Sequence, residues 1–198
     1  MYEPAHDDEI TGITRYLDQQ LSALRASALG LTDGQARSRP CRSVLSIGGL
    51  IKHVTHGMRG GVRRLRDRDS SFALDEAAFA AYEGSFALTD DETVADALTA
   101  FDEARAEYLA AVAATDPDDE LIEPPQPWNG IFEPRPAAAR FYLVHQIEEM
   151  ARHAGHADIV REELDGMAVP ALVFTVEGQP ANDFFTPYVP APGTIGAA

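Results

Sequence analysis

A chain of 198 residues can form one compact domain with its own core, and 45% hydrophobic with 24% charged residues is ordinary for a globular protein. A formal net charge of −16 repels nucleic acid and anionic membranes at long range, and there is no run of 18 apolar residues to span a bilayer. The acidic start "MYEPAHDDEI" is unlike a signal peptide, and the lone Cys41 cannot form an internal disulfide, so the natural compartment is the cytoplasm.

Four long helical segments can be read in chain order. The first covers roughly residues 8–29, where Ile10, Ile13, Leu17, Leu21 and Leu24 recur at three- and four-residue spacings as one apolar stripe. Gly30 stops it, and "LTDGQARSRP" reads as a turn with at most one turn of helix. The second covers 46–66, "SIGGLIKHVTHGMRGGVRRLR", with Ser43 or Ser46 as its cap. Its glycines weaken a regular helix and equally permit close approach of a neighbouring backbone. The basic cluster "RGGVRRLRDR" at its end suits the negative end of a helix dipole.

Residues 67–88 read as a long connection with a short helix at "LDEAAFAAYEG". "TDDE", Thr89 to Glu92, fits a capping box, so the third helix is expected from there to about Ala114. The Pro-rich "TDPDDELIEPPQPWNGIFEPRP" cannot be regular helix and carries Trp128, the only tryptophan. The fourth helix is expected from Pro136 to Asp165, ended by Gly166. The expected organisation is a helical unit over 1–166 and a Pro/Gly-rich extension over 167–198. That extension would pack on the helices or move freely, with "ALVFTV" as an extended piece. Long helices with long crossings, and no alternation with strands, indicate an all-α bundle with an irregular C-terminal tail.

The fourth helix concentrates the titratable chemistry. "HQIEEMARHAGHADIVREELDG", residues 145–166, holds three of the chain's six histidines. At about 100° per residue, His145, Glu149, His153 and His156 fall within an arc of roughly 80°, with Tyr142 and Val160 in the same arc. The opposite side carries Val144, Ile147, Ala151 and Ala154. The plain alternative is a solvated face, yet no lysine and only the flanking Arg152 accompany the stripe.

A metal would need a third group from elsewhere. His53, set among Leu50, Ile51 and Val54, is one candidate; His56, one turn on, is its competitor. Two histidines and a carboxylate make a common open metal site. No H-E-x-x-H and no G-x-S-x-G occurs, and Cys41 has no flanking histidine to activate it as a nucleophile.

At these residues the chain resembles the DinB/YfiT-like superfamily. "LSIGGLIKHVTHGM" and "HQIEEMARHAGHADIVREELDG" carry the resemblance, and "ALGLTDGQARSRP" and "TVADALTAFDEARAEYL" fall in the expected places, so it covers roughly residues 8–166. It implies a DinB-like four-helix bundle, up-up-down-down with long crossovers, holding a divalent metal at one end. The family's ligand positions match His53, Glu149 and His153. The mycothiol-dependent maleylpyruvate isomerase branch carries glutamate where Glu149 stands; many other members carry histidine there. His145 would stand behind the ligands, and His156 falls where many relatives carry glutamine.

Characterised relatives are thiol-dependent isomerases and S-transferases. The resemblance therefore implies a low-molecular-weight-thiol enzyme of the mycothiol type, acting on a small electrophile and using Zn²⁺, or Ni²⁺ or Fe²⁺. Trp128 and Asn129 would lie over the mouth of the site, unless Trp128 plugs the core, and Arg152 would bind a substrate carboxylate or form a surface ion pair. A metal-containing protein that binds a small molecule without turnover, and a bundle that acts by forming a homodimer, are the competing readings.

Overall fold

The first apolar stripe folds as helix α1, Glu9–Ala26, in a computed structural model that describes residues 5–68 and 75–197. The Asp8 carboxylate accepts the Thr11 amide at 2.8 Å, capping the helix start. Ile13, Leu17, Leu21 and Leu24 are all buried. Gly30, at φ 76°, turns the chain into the short α2, Asp33–Arg37, where Thr32 and Gln35 cap each other.

Helix α3, Ile47–Asp67, takes Ser46 and not Ser43 as its cap; the Ser46 hydroxyl accepts the Gly49 amide at 3.1 Å. The connection that follows contains α4, Glu76–Gly84, close to the expected short helix; Leu74, which was to open it, lies outside the described residues. Helix α5, Val94–Ala113, starts later than expected. The Glu92 carboxylate does accept the Thr89 amide at 2.8 Å, but the pair closes only a turn. Thr93 is the cap, its hydroxyl accepting from the Asp96 amide, while Lys52 draws the Glu92 carboxylate towards α3 at 2.7 Å.

The Pro-rich crossing folds partly as an antiparallel ribbon that the sequence did not announce. Strand β1, Glu120–Glu123, pairs with β2, Arg135–Ala138, with Glu120 opposite Ala138 and Glu123 opposite Arg135. Pro124, Pro125, Pro127 and Pro134 fall in the link between the strands, and Pro136 sits in a ribbon where every strand is an edge. Because β2 uses residues up to Ala138, α6 begins at Ala139, three residues later than expected, and runs to Asp165. Gly166, at φ 75°, ends it as expected, donating to the Glu162 carbonyl at 2.8 Å.

The C-terminal segment departs from the expected irregular tail. "ALVFTV" is not extended: it lies in helix α7, Val169–Val176, which has Pro170 in its first turn. Val169 and Leu172 of α7 bury against Ala26 of α1. Further on, Ile195 accepts the Gly30 amide at 2.8 Å and donates to the Leu31 carbonyl at 2.9 Å.

α3 packs on α5 and α6, and α1 packs on α5, α6 and α7. Their stripes share a core that includes Leu21, Leu50, Met58, Phe101 and Leu143. Among the described residues the molecule is mostly helical with one small two-stranded sheet. Among the described residues no helix is long and apolar enough to cross a membrane.

Candidate functional site

His53 is positioned from α3 by the segment that follows α4. A Cβ at Gly49 would collide with the Phe86 carbonyl, and one at Gly48 would crowd the Leu88 side chain, so these two glycines let residues 85–88 lie against α3. Phe86 then stacks on the His53 ring at a centroid distance of 3.8 Å, and Tyr82 meets it edge-on at 5.5 Å. Ser85, itself buried, sits 2.8 Å from His53 Nδ1. The Ser85 hydroxyl donates to the Tyr82 carbonyl at 2.5 Å, so its single hydrogen is committed there. Nδ1 must therefore be the donor to Ser85 Oγ, and His53 Nε2 is left with its lone pair.

Helix α6 brings the other two groups. The His153 ring lies 4.9 Å from the His53 ring, centroid to centroid. His153 Nε2 is 3.8 Å from a Glu149 oxygen, and the other Glu149 oxygen is 4.0 Å from His145 Nε2. His153 Nδ1 is buried and makes no hydrogen bond. Burial, then the neighbouring His153 and His56, push the His53 pKa down to about 4. Burial also lowers that of His153, with the Glu149 charge opposing. Both rings are thus neutral at neutral pH, the form in which imidazole binds metals.

The three groups line one cavity of about 750 Å³, together with Tyr142, Gln146 and Arg63. Beneath it the Arg64 guanidinium lies 4.4 Å from the centre of the Tyr142 ring and pairs with Glu123 of β1. Burial pushes the Tyr142 hydroxyl up to about 12, so it stays a neutral donor. A Cβ at Gly61 would strike both Tyr142 and Tyr108, so this glycine lets the tyrosine pair reach under α3.

The polar stripe on α6 is split by its neighbours. His153 and Glu149 are half-buried, whereas His145 and His156 are exposed. The side opposite the stripe is mixed: Val144 and Ala151 are exposed, Ile147 is partly buried and Ala154 is buried. The buried face runs through Tyr142, Met150, Ala157 and Val160, and Tyr142 and Val160 fall within the arc of the stripe, so one edge of the stripe faces inward. His156 keeps an edge contact with His153 at 5.9 Å. Arg152 pairs with Glu148 at 2.8 Å on the surface. Trp128, 71% exposed in a 3-10 turn, does not line the cavity, and Asn129 donates to Gln126.

As the side chains stand, no group of three or more His, Cys, Asp or Glu among the described residues is arranged to hold a metal ion. The donor set nevertheless fits one: a fixed His53 tautomer, an orphaned His153 nitrogen and a carboxylate within 4 Å of that ring. Residues 12–166 match the family model described as mycothiol S-transferase. The chain belongs to the mycothiol S-transferase family. That family lies within the DinB/YfiT-like, thiol-related superfamily. No curated protein and no solved structure matches the chain.

The family's matched span runs from within α1 to Gly166 and contains every residue that lines the cavity, but not α7. Sequence reasoning missed Ser85, Tyr82 and Phe86 as partners of His53. Their only signal was an aromatic pair four apart at the end of a short helix, which says nothing about the histidine about thirty residues upstream.

Proposed function

We propose that the chain is a divalent-metal-dependent S-transferase that joins a low-molecular-weight thiol of the mycothiol type to a small electrophile, on a DinB-like four-helix bundle made by α1, α3, α5 and α6. The observation that carries the reading is the Ser85 hydrogen bond to His53. It holds a histidine as the tautomer with a free Nε2, beside a second neutral histidine with an unpartnered nitrogen and a carboxylate. Metal-binding histidines are commonly oriented in this way through their other ring nitrogen. Family membership supports thiol transfer as the use of such a site.

His53, Glu149 and His153 would hold the cation, with Zn²⁺ fitting two imidazoles and a carboxylate and Ni²⁺ or Fe²⁺ compatible. A divalent cation there would keep a bound sulfur as thiolate at neutral pH. His145, close to Glu149, steadies the carboxylate, and Phe86 and Tyr82 fix the plane of His53. Tyr142 and Gln146 supply hydrogen bonds to the substrates within the cavity. In the transfer a sulfur lone pair forms the S–C bond, the leaving group departs with its bonding pair, and the thiol proton has already been released.

The test is consumption of monochlorobimane with mycothiol by protein loaded with Zn²⁺, Ni²⁺ or Fe²⁺. Turnover that requires metal, and that is lost in His53→Ala, Glu149→Ala and His153→Ala, is expected. Metal binding without turnover of any electrophile would favour a binding protein instead. Failure to bind any of these metals would remove the reading.

A further inference from the structure

The rim of the cavity carries positive charge that the acidic chain leaves uncompensated. Asp and Glu outnumber Lys and Arg by 32 to 16, and most arginines in the described residues sit in an ion pair with a carboxylate. Arg59 and Arg63 do not pair with any acid within 4.0 Å among the described residues. They are one turn apart on the face of α3 that also carries His56. Arg63 lines the cavity with the candidate ligands, Arg59 lines an adjoining cavity of about 500 Å³, and His56 lines both. Both guanidiniums act on His56: after burial, the charges of Arg63 and Arg59 are the largest causes of its lowered pKa.

The acids nearby are engaged elsewhere or stand off. Asp67, one turn beyond Arg63, lines the cavity without pairing with it. Glu92 is held by Lys52, and Asp96 by the Thr93 hydroxyl. Two glycines, Gly57 and Gly60, line the cavity beside Arg63. Gly57 has nothing within 4 Å of where a Cβ would be, and the Arg63 guanidinium lies 3.8 Å from that point on Gly60. Room for a planar group therefore exists beside Arg63, and Arg59 stands one turn away; the fork of each guanidinium matches a carboxylate.

We infer that Arg63 and Arg59, with His56 beside them, form an anion-binding strip that selects electrophiles bearing a carboxylate. The strip is a property of the rim; that its ligand is an electrophile rests on the S-transferase reading above. A neutral electrophile would leave the two cations facing solvent, whereas a carboxylate would tether one end of the substrate while its electrophilic carbon enters the cavity.

Two measurements on the full chain separate these claims. Calorimetric titration with unreactive dinitrobenzoate reads the strip alone. Affinity should fall with added salt, and by about tenfold in Arg63→Gln and less in Arg59→Gln, with Arg63→Lys recovering part of the loss. Both positions are exposed, so the variants should melt like the parent. The second measurement compares chlorodinitrobenzoate with neutral chlorodinitrobenzene as electrophiles. The ratio of their kcat/KM values should fall about tenfold in Arg63→Gln. Dinitrobenzoate binding that is absent, or that is equal in the parent and both variants, overturns the strip whatever the kinetics. Arginine-dependent binding with neither chloroarene consumed keeps the strip and removes the transferase reading.

Discussion

Arg161 and His153 stand about two turns apart on α6, both turned towards the protein, yet their polar atoms are treated in opposite ways. Arg161 is fully buried and fully engaged: Nε and Nη2 donate to the Asp165 carboxylate at 2.9 and 2.8 Å, and Nη1 donates to the carbonyls of Ser27 and Leu29 at 2.7 and 2.6 Å. His153 has one nitrogen with no partner and the other 3.8 Å from Glu149. A buried charge persists only when its hydrogen bonds are met within the fold, and Arg161 meets that condition without any ligand. The His53, Glu149 and His153 group does not meet its hydrogen bonds within the fold, and on the function proposed above a bound ion would take up the unmet nitrogen.

The contrast can be broken first at Arg161. Arg161→Ala strands Asp165 and two carbonyls, and should cost about 3–5 kcal/mol in urea unfolding while leaving metal uptake in the folded fraction intact. His153→Ala should do the reverse. Without metal its stability should stay within about 1 kcal/mol of the parent, since the ring's hydrogen bonding is unmet, but the rise in Tm on adding Zn²⁺ should vanish. A comparable drop in stability for the metal-free variant would erase the distinction. Ser85→Ala sharpens the contrast further: freeing the His53 tautomer should weaken Zn²⁺ binding by about 10–100-fold in a competition titration, while the lost buried hydroxyl should cost the metal-free chain about 1–3 kcal/mol.

The smallest effect is expected at Asp158, between the two clusters. Burial, then the nearby Glu162, raise its pKa above the ordinary carboxylate value. An acid whose folded pKa is raised binds its proton more tightly when folded, so its ionisation destabilises the fold at pH values above the raised pKa. Asp158→Asn should therefore raise Tm slightly at pH 7, and the advantage should disappear as pH falls below about 4, where the parent is protonated in both states. A melting series across that range would show it.

How far the sequence revealed these regions depended on the range of the interactions. The long helices were legible because each stripe, such as Leu17, Leu21 and Leu24, is written in consecutive turns. Gly166 as a stop was legible because a left-handed residue after a helix has a local signature. The grouping of Glu149 with His153 is local too, and the resemblance supplied His53. Ser85 was not legible, since its role depends on Gly49 admitting another backbone. The α6 packing face was not legible because alanines and single apolar residues lie all around the helix, leaving little amphipathic contrast to read. The ribbon hid behind prolines, and α7 behind β-branched residues whose helical state comes from burial of Val169 and Leu172 on α1.

Ile195 closes a two-bond clasp on Gly30 and Leu31, and Gly196 leaves no room for a side chain against Leu29. The family match stops at Gly166, but the apolar interior does not: Ile195 packs against the main core and Leu172 against the base of α1. A cut at the family boundary would thus pass through a shared interior, so the segment beyond it works as a fastening, and a minimal version of this protein has to keep it.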